Sequence, residues 1–526
     1  MSFARPQRFA ALAAALWLLT FAGLAPAQDA PVKGLGPYNL VIFHTNDAHG
    51  GFAPEPAMWR DDKAPAGGIV ALAAHLAQER KGAAPSLLLD GGDFMTGNII
   101  CDLSVDGVIG GAWQDLRNLI GYDCGVVGNH EFDQGIDNAR KLFARANFPI
   151  IAADILDAQG KPLFAPGPVV IERGGLRIGI IGVSCAGLFE VTAPNRTAGL
   201  SLRHQDEVVR EQLKDLLPRT DLQVLISHSG VQGDEALAKV LAGSGLDVIV
   251  GAHSHTRLKE PKLVGGILIV QAGANLKNLG RLDLNVKDGR VVGYDGRLID
   301  LIVIDTAGVS PQLTALAAKY AQQIEVEFGR TIATLETAWH RGHGESNIGD
   351  WICDALRAHV GADVAFLNSG SIRKDLAAGP VRMSDVKEIL PFANTLVTFD
   401  LTGAQLRTIV ETNAKAAAGD GSGLQLSGLS YGWRKVGDHV EVEDLRVGGT
   451  PVQNDKVYKA AAADYVAMQA KEYFGLEPPP TVYAGIGVTD AIMAAVRKAG
   501  KITEPRGGRV RDLTGASAEK GSGQPY

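Results

Sequence analysis

Asn129-His130-Glu131-Phe132-Asp133 puts an amide oxygen, an imidazole and two carboxylates within five residues. An amide oxygen can ligate a metal, and an imidazole beside a carboxylate can hold or pass on a proton. Alone, the stretch reads as a polar loop. It has company: Asn46-Asp47-Ala48-His49, Asp90-Gly91-Gly92-Asp93, Ser227-His228-Ser229-Gly230 and Gly251-Ala252-His253-Ser254-His255. Carboxylate, imidazole and amide oxygen together suit divalent Zn, Mn, Co or Fe. No cysteine lies in any cluster, which argues against an iron–sulfur or Cys-rich zinc site. Six or seven such ligands are too many for one open catalytic metal. They match two ions, roughly 3.5–4 Å apart, that clamp an in-line displacement.

Each cluster follows a short apolar run: Val41–Phe43, Leu87–Leu89, Tyr122–Val127, Leu222–Ile226 and Val248–Val250. Runs of that length bounded by Gly, Asn and Asp read as buried strands. Helical patterns lie between them over Ile69–Arg80, Gln134–Arg145 and Gln205–Leu217. This alternation predicts largely parallel sheets covered by helices. Ligands of open α/β sheets bind beyond the carboxyl ends of the strands, so the five clusters should meet in space. Asp90 precedes an expected ligand and reads as a supporting or capping group. His44 belongs to a strand and reads as structural, and His75, His204, His359 and His439 as surface or core residues.

The order Asp47-x-His49, Gly92-Asp93, Gly128–Asp133, His228 and His253-x-His255 resembles the metallophosphatase superfamily. More narrowly it is similar to the 5′-nucleotidase family, which includes periplasmic UDP-sugar hydrolase/5′-nucleotidases of bacteria and ecto-5′-nucleotidases of animals. The resemblance implies an α/β fold. A four-layer α/β/β/α sandwich would span 38–308, a linker helix 309–330 and a smaller C-terminal α/β substrate-binding domain 331–513. It also implies two divalent metal ions. Asp47, His49, Asp93 and His255 would bind the first, and Asp93, Asn129, His228 and His253 the second. His130 and Asp133 would be the catalytic pair. The activity implied is phosphoester hydrolysis on nucleotides, by attack of a metal-bridging hydroxide on phosphorus.

The second half carries its own matching pieces: Glu345–Leu356, NSGSIR at 368–373, LPFANTL at 390–396 and GLQLSGL at 423–429. By the same resemblance Asn368 would face base or ribose, Arg373 the phosphate, and Phe392 one side of the base. Two departures stand out. Gly342 occupies a position where family members carry arginine, with His340, Arg341 and His343 nearby as substitute cations or exposed loop residues. The Gly-Gly-Asp-Gly-aromatic segment that supplies a second stacking ring is missing from Asp464–Gly475, where Tyr473 or Phe474 would stack or simply join the core. These departures keep alternatives open: a UDP-sugar or cyclic-nucleotide hydrolase, a sulfur-ester hydrolase, or an inactive nucleotide-binding protein. The intact Asn129–Asp133 motif counts against the last two.

Residues 1–27 read as a cleaved export signal, with Arg5 and Arg8 before the apolar Phe9–Leu24 and small residues at Ala25-Pro26-Ala27. A periplasmic location is expected, with secretion the alternative. Without them the formal charge moves from −7 to −9. That balance disfavours a nucleic acid polymer as partner and leaves phosphate recognition to local groups. No later run approaches the ~18 apolar residues of a membrane helix, so no stable membrane insertion is expected. About 500 residues suit two domains. Ser310–Phe328 reads as a helix that either links them or packs as one more helix of the first. Thr402-Gly403-Ala404-Gln405 has the form of a helix-starting capping box, with the helix reaching about Asn413. Cys101 and Cys124 would form a disulfide or stay buried thiols, and a Cys185–Cys353 pair is less attractive. Residues 514–526 read as a disordered Gly/Ser-rich tail. The sequence leaves metal identity, substrate and oligomeric state open.

Overall fold

The computed structural model describes residues 30–57, 60–342, 344–419, 423–437 and 439–514. The expected signal (1–27), His343 and all but Thr514 of the expected tail lie outside the described residues.

Two sheets form the first half. The seven-stranded one runs Val32–Lys33, Arg290–Asp300, Asn278–Lys287, Leu40–Thr45, Ser86–Asp90, Cys124–Val126, Ile150–Ile151. The six-stranded one runs Val169–Arg173, Leu176–Val183, Leu222–Ser227, Val248–Gly251, Ile267–Val270, Lys262–Val264. Successive strand residues point to opposite faces. Leu40 and Ile42 therefore join Leu87, Leu89, Val224, Ile226, Val248 and Val250 in a core between the sheets. Val41 and Phe43 face outward, under the helices Ile69–Glu79, Gly111–Ile120 and Pro311–Phe328. On the far side Ile181, Leu225 and Ile249 pack beneath Gln205–Leu216 and Gly230–Val240. The result is the expected α/β/β/α layering. Both faces of the strands are buried, which explains their unbroken apolar runs.

Parallel register brings the chemistry to one edge. Thr45 pairs opposite Asp90, and Leu89 opposite Cys124. In the second sheet Val183 aligns with Ser227, and Ser227 with Gly251. All five polar clusters leave their strands at this common end.

In the second half one contiguous core runs from Ala333 to Ile502. Its five-stranded sheet has the order Leu424–Ser427, Val364–Asn368, Val457–Ala463, Thr395–Thr402, Val482–Gly487. Thr402 caps its helix as its motif predicts: its hydroxyl accepts from the Gln405 N–H, and the Gln405 side chain reaches back to the Thr402 N–H. That helix continues to Ala418, past the expected Asn413, because Ala414 still packs inward. The helix Pro311–Phe328 sends Leu313, Ala317 and Tyr320 into the first core. Near its end Glu325 pairs with Arg382 of the second half at 3.1 Å. Asn98 and Lys387 add inter-half bonds to Glu388 (3.0 Å) and Asp102 (2.9 Å).

All four cysteines are buried free thiols, and burial raises each one's pKa. The Cys101–Cys124 disulfide is not formed. Cys101 packs under the helices and Cys124 between the sheets, on opposite sides of the seven-stranded sheet.

Candidate metal centre and active site

The strand-end clusters converge. Three groups of side chains each bring their ligand atoms within 4.8 Å of one another: Asp47, His49 and His255; His49, Asp93 and His130; Asp93, His228 and His253. Asp93 and His49 each belong to two. Asn129 joins the third group, its Oδ1 lying 3.0 Å from Nδ1 of His253. The backbone is bent to make this possible. Asp47, His49, Asp93, His253 and His255 all adopt positive φ, between 45° and 71°. That conformation is costly for non-glycine residues, and it concentrates at functional sites.

The ring nitrogens define what the cluster can hold. Nδ1 of His228 lies 2.6 Å from the Gly91 carbonyl, so it carries a hydrogen and Nε2 is left to take a proton or a metal ion. That Nε2 lies 3.0 Å from Asp93 Oδ2, off the line of a good hydrogen bond, and is otherwise without a partner. Nδ1 of His49 likewise faces two carbonyls, Met95 (3.0 Å) and Thr96 (2.8 Å). Its Nε2 then points at Nε2 of His255, 3.0 Å away. Burial, with His255, Arg373 and His130 adding to it, keeps His49 neutral by lowering its pKa far below the usual histidine value. The lone pair of His49 Nε2 beside His255, and His228 Nε2 beside the Asp93 carboxylate, are placed to ligate a cation. The donor set fits divalent metal ions.

Carboxylates are fixed in the same way. Asp47 accepts from Asn46 Nδ2 (2.6 Å) and from the His253 N–H at 3.0 and 3.1 Å. Asp93 Oδ1 accepts the His130 N–H at 2.8 Å. Burial opposes ionisation of Asp93, but His228 and His130 outweigh it and hold the carboxyl well below its usual range. A Cβ at Gly128 would stand 2.1 Å from that Oδ1, so only glycine can precede Asn129.

His130 sits at the edge of this cluster. Its Nδ1 donates to Asp133 Oδ2 at 2.7 Å, and Asp133 also accepts from the Thr96 hydroxyl at 2.7 Å. Nε2 is thereby left 4.0 Å from Asp93 Oδ2. Burial disfavours the imidazolium, yet Asp133 and Asp93 raise the His130 pKa on balance.

Sequence reasoning assigned no part to Glu131, although it sits inside the motif. Its carboxylate accepts four backbone N–H groups, from Asp93, Phe94, Met95 and Gly128. It thus pins the Asp93 loop onto the Asn129 loop. Asp90 is a supporting group as expected: it pairs with Arg117 at 2.5 Å, both about 1% exposed. His44 is buried in its strand, where burial lowers its pKa to about 3.

A cavity of about 290 Å³ opens beside the cluster, walled by both halves of the chain. Asp93, Asn129, His130, Asp133, His253 and His255 line one side, and Asn368, Arg373 and Phe392 the other. The Phe392 ring lies 5.6 Å from that of His130 and 5.8 Å from the Arg373 guanidinium. Asp47, His49 and His228 lie deeper. Neither expected stacking ring lines the cavity. Phe474 is fully buried against Phe366 and Phe399, and Tyr473 sits behind Asn368, its hydroxyl 3.4 Å from Nδ2. Tyr465, which sequence reasoning passed over, is the aromatic beside Asp464 on the wall. Arg341 is held by Asp375 through both backbone and side chain, and Arg341 and His340 are both absent from the lining.

A family model described as calcineurin-like phosphoesterase matches residues 40–257, and one described as 5′-nucleotidase, C-terminal domain, matches residues 325–476. Protein UshA of Escherichia coli K12 is 27% identical over 556 residues, covering 94% of this chain and 98% of that protein. A 5′-nucleotidase of Vibrio cholerae is 27% identical over 531 residues, covering 90% and 92%. The solved 5′-nucleotidase precursor of Thermus thermophilus superposes with a TM-score of 0.76 at 25% identity, covering 90% of this chain and 99% of that one. Calcineurin-like phosphoesterases use divalent metals, and the side-chain groups for them are in place. This chain joins a calcineurin-like phosphoesterase domain to a 5′-nucleotidase C-terminal domain and is similar over nearly its whole length to 5′-nucleotidases, metal-dependent phosphoric ester hydrolases.

Proposed function

We propose that the chain is an exported two-metal phosphoesterase that removes phosphate from nucleotides. The observation that carries the reading is that Asp93 belongs to two ligand groups, with His49 and His130 in one and His228 and His253 in the other, while His49 also groups with Asp47 and His255. Asp47, His49, Asp93 and His255 would hold one ion, and Asp93, Asn129, His228 and His253 the second. Such a pair, when bound, supplies Lewis-acid polarisation of the phosphoryl oxygens and a strongly acidified water.

The chain's own residues do the rest. His130, charged and aimed by Asp133, donates from Nε2 toward the phosphoryl or leaving oxygen and stabilises charge that develops there. Arg373 approaches from the other half with a guanidinium suited to gripping two phosphate oxygens. Asn368 is oriented by Ser371, whose hydroxyl donates to its Oδ1, and by Tyr473 for contact with ribose or base. Phe392 packs against His130 and Arg373, and with Tyr465 gives the cavity two aromatic walls. Together they exclude water from the leaving group. Export rests on the sequence of residues 1–27; no helix among the described residues is long and apolar enough to cross a membrane.

The test is a substrate panel on protein reconstituted with Mn or Co: nucleoside monophosphates, UDP-glucose, cyclic nucleotides and p-nitrophenyl phosphate, scored by released phosphate or phenol. Turnover of 5′-monophosphates is expected. A protein that binds nucleotides and releases nothing from any of them would be a binder.

A further inference from the structure

Arg196 gives the substrate cavity a second cationic group, supplied by the first half of the chain where Arg373 comes from the second. The segment Leu188–Arg196 joins the six-stranded sheet to its first helix and supplies Val191, Ala193, Asn195 and Arg196 to the lining. It is anchored, not adrift. Leu188 is buried in the first core, and Thr192 and Thr197, on either side of the Asn195–Arg196 pair, are 2% and 3% exposed. The Glu190 carbonyl accepts from Gln469 Nε2 at 2.8 Å, tying the segment to the second half.

Most arginines near this sheet are already paired. Arg203 pairs with Glu211 at 2.7 Å, Arg177 with Asp221 at 3.0 Å, and Arg173 with Asp123. Among the described residues Arg196 and Arg373 have no ion-pair partner, and both line the same cavity. A guanidinium without a carboxylate on a substrate wall is a ready partner for an anion. Arg341, beside the glycine that stands for a family arginine, is engaged by Asp375. The cavity therefore draws its second cation from the metallophosphatase half.

We propose that Arg196, with Asn195 beside it, binds an anionic group on the leaving-group side of the substrate and selects phosphoesters that carry a second negative centre. The inference rests on the phosphoester reading above. One chemistry, a second phosphate, can come from two sources: a pyrophosphate link or a phosphate elsewhere on the sugar.

The experiment compares wild type, Arg196→Ala, Arg196→Lys and the remote control Arg203→Ala as metal-loaded full chains. Substrates are p-nitrophenyl phosphate, ADP and adenosine 3′,5′-bisphosphate. Arg196→Ala should lower kcat/KM for ADP or for the bisphosphate at least tenfold more than for p-nitrophenyl phosphate, through KM. Arg196→Lys should recover part of the loss, and Arg203→Ala should leave the ratios as in wild type. Whichever of the two nucleotides responds identifies the source. Ratios within threefold of wild type for both would overturn the proposal. Calorimetric binding of α,β-methylene-ADP to the same proteins separates it from the parent reading. A wild type that turns over nothing but binds this analogue tenfold tighter than Arg196→Ala would sink the hydrolase and keep the anion site. Binding indifferent to Arg196 would remove the site, whatever the turnover.

Discussion

Nε2 of His228 faces Oδ2 of Asp93 at 3.0 Å, with both side chains buried. Burial alone would strip the proton from His228, but Asp93 and Asp47 reverse this and raise its pKa to about 10. In metal-free protein at neutral pH the His228 ring is therefore protonated at Nε2 as well as Nδ1. Its folded pKa exceeds the unfolded value of 6.5, so the stability it adds is complete below 6.5 and is lost as pH rises through about 10. A metal needs the lone pair and must displace that proton. Calorimetry in two buffers of different ionisation heat should show about one proton released from this site per chain on metal loading. Affinity should climb from pH 6 toward 9. Uptake without proton release would contradict the assignment of His228.

His130→Ala removes the group that Asp133 orients while leaving Asp47, His49, Asp93 and His228 in place. Metal content should stay at the wild-type level, and kcat should fall by roughly 10²–10⁴. Loss of metal in this variant, read by elemental analysis, would make His130 a ligand.

Arg373→Ala takes a cation from the substrate wall, 5.8 Å from Phe392, without touching the ligand cluster. A charge-assisted contact of about 1.5–3 kcal/mol should disappear, raising KM tenfold or more with metal content intact. An unchanged KM would place the phosphate elsewhere.

Arg117→Met strands the Asp90 carboxylate, which is buried beside Thr45 and Tyr122 and depends on that guanidinium. Breaking one side of a buried ion pair costs about 3–5 kcal/mol. Urea unfolding should report a loss of that size, and the midpoint should recover in part at low pH, where Asp90 is protonated. A loss under about 1 kcal/mol would show that the pair adds nothing to the fold.

The strand-end clusters were legible because parallel sheets deliver chemistry to one edge, and five polar clusters after five apolar runs leave little else to conclude. Asp47, His49, Asp93, His228, His253 and His255 are found together for that reason. Glu131 was hidden by its own role: a carboxylate that only collects backbone N–H groups looks like any loop acid. The helices Gly111–Ile120 and Gly230–Val240 went unread: the first opens on two glycines, Gly110 and Gly111, and neither has a side-chain cap. The disulfide question turned on which face of one sheet each cysteine takes, which spacing does not encode. Tyr465 and Arg196 emerge only when the two halves are set against each other, and the core position of Phe474 only from the packing of the second half.

Metal stoichiometry is the most direct test. Chelator-stripped protein, reloaded with Mn or Co and cleared of free ion, should retain two equivalents per chain by elemental analysis. Asp93→Ala, which removes the carboxylate shared by both ligand groups, should lose metal and activity together. Wild type that never retains more than one equivalent, or an Asp93→Ala protein that still holds two, would contradict the two-metal account.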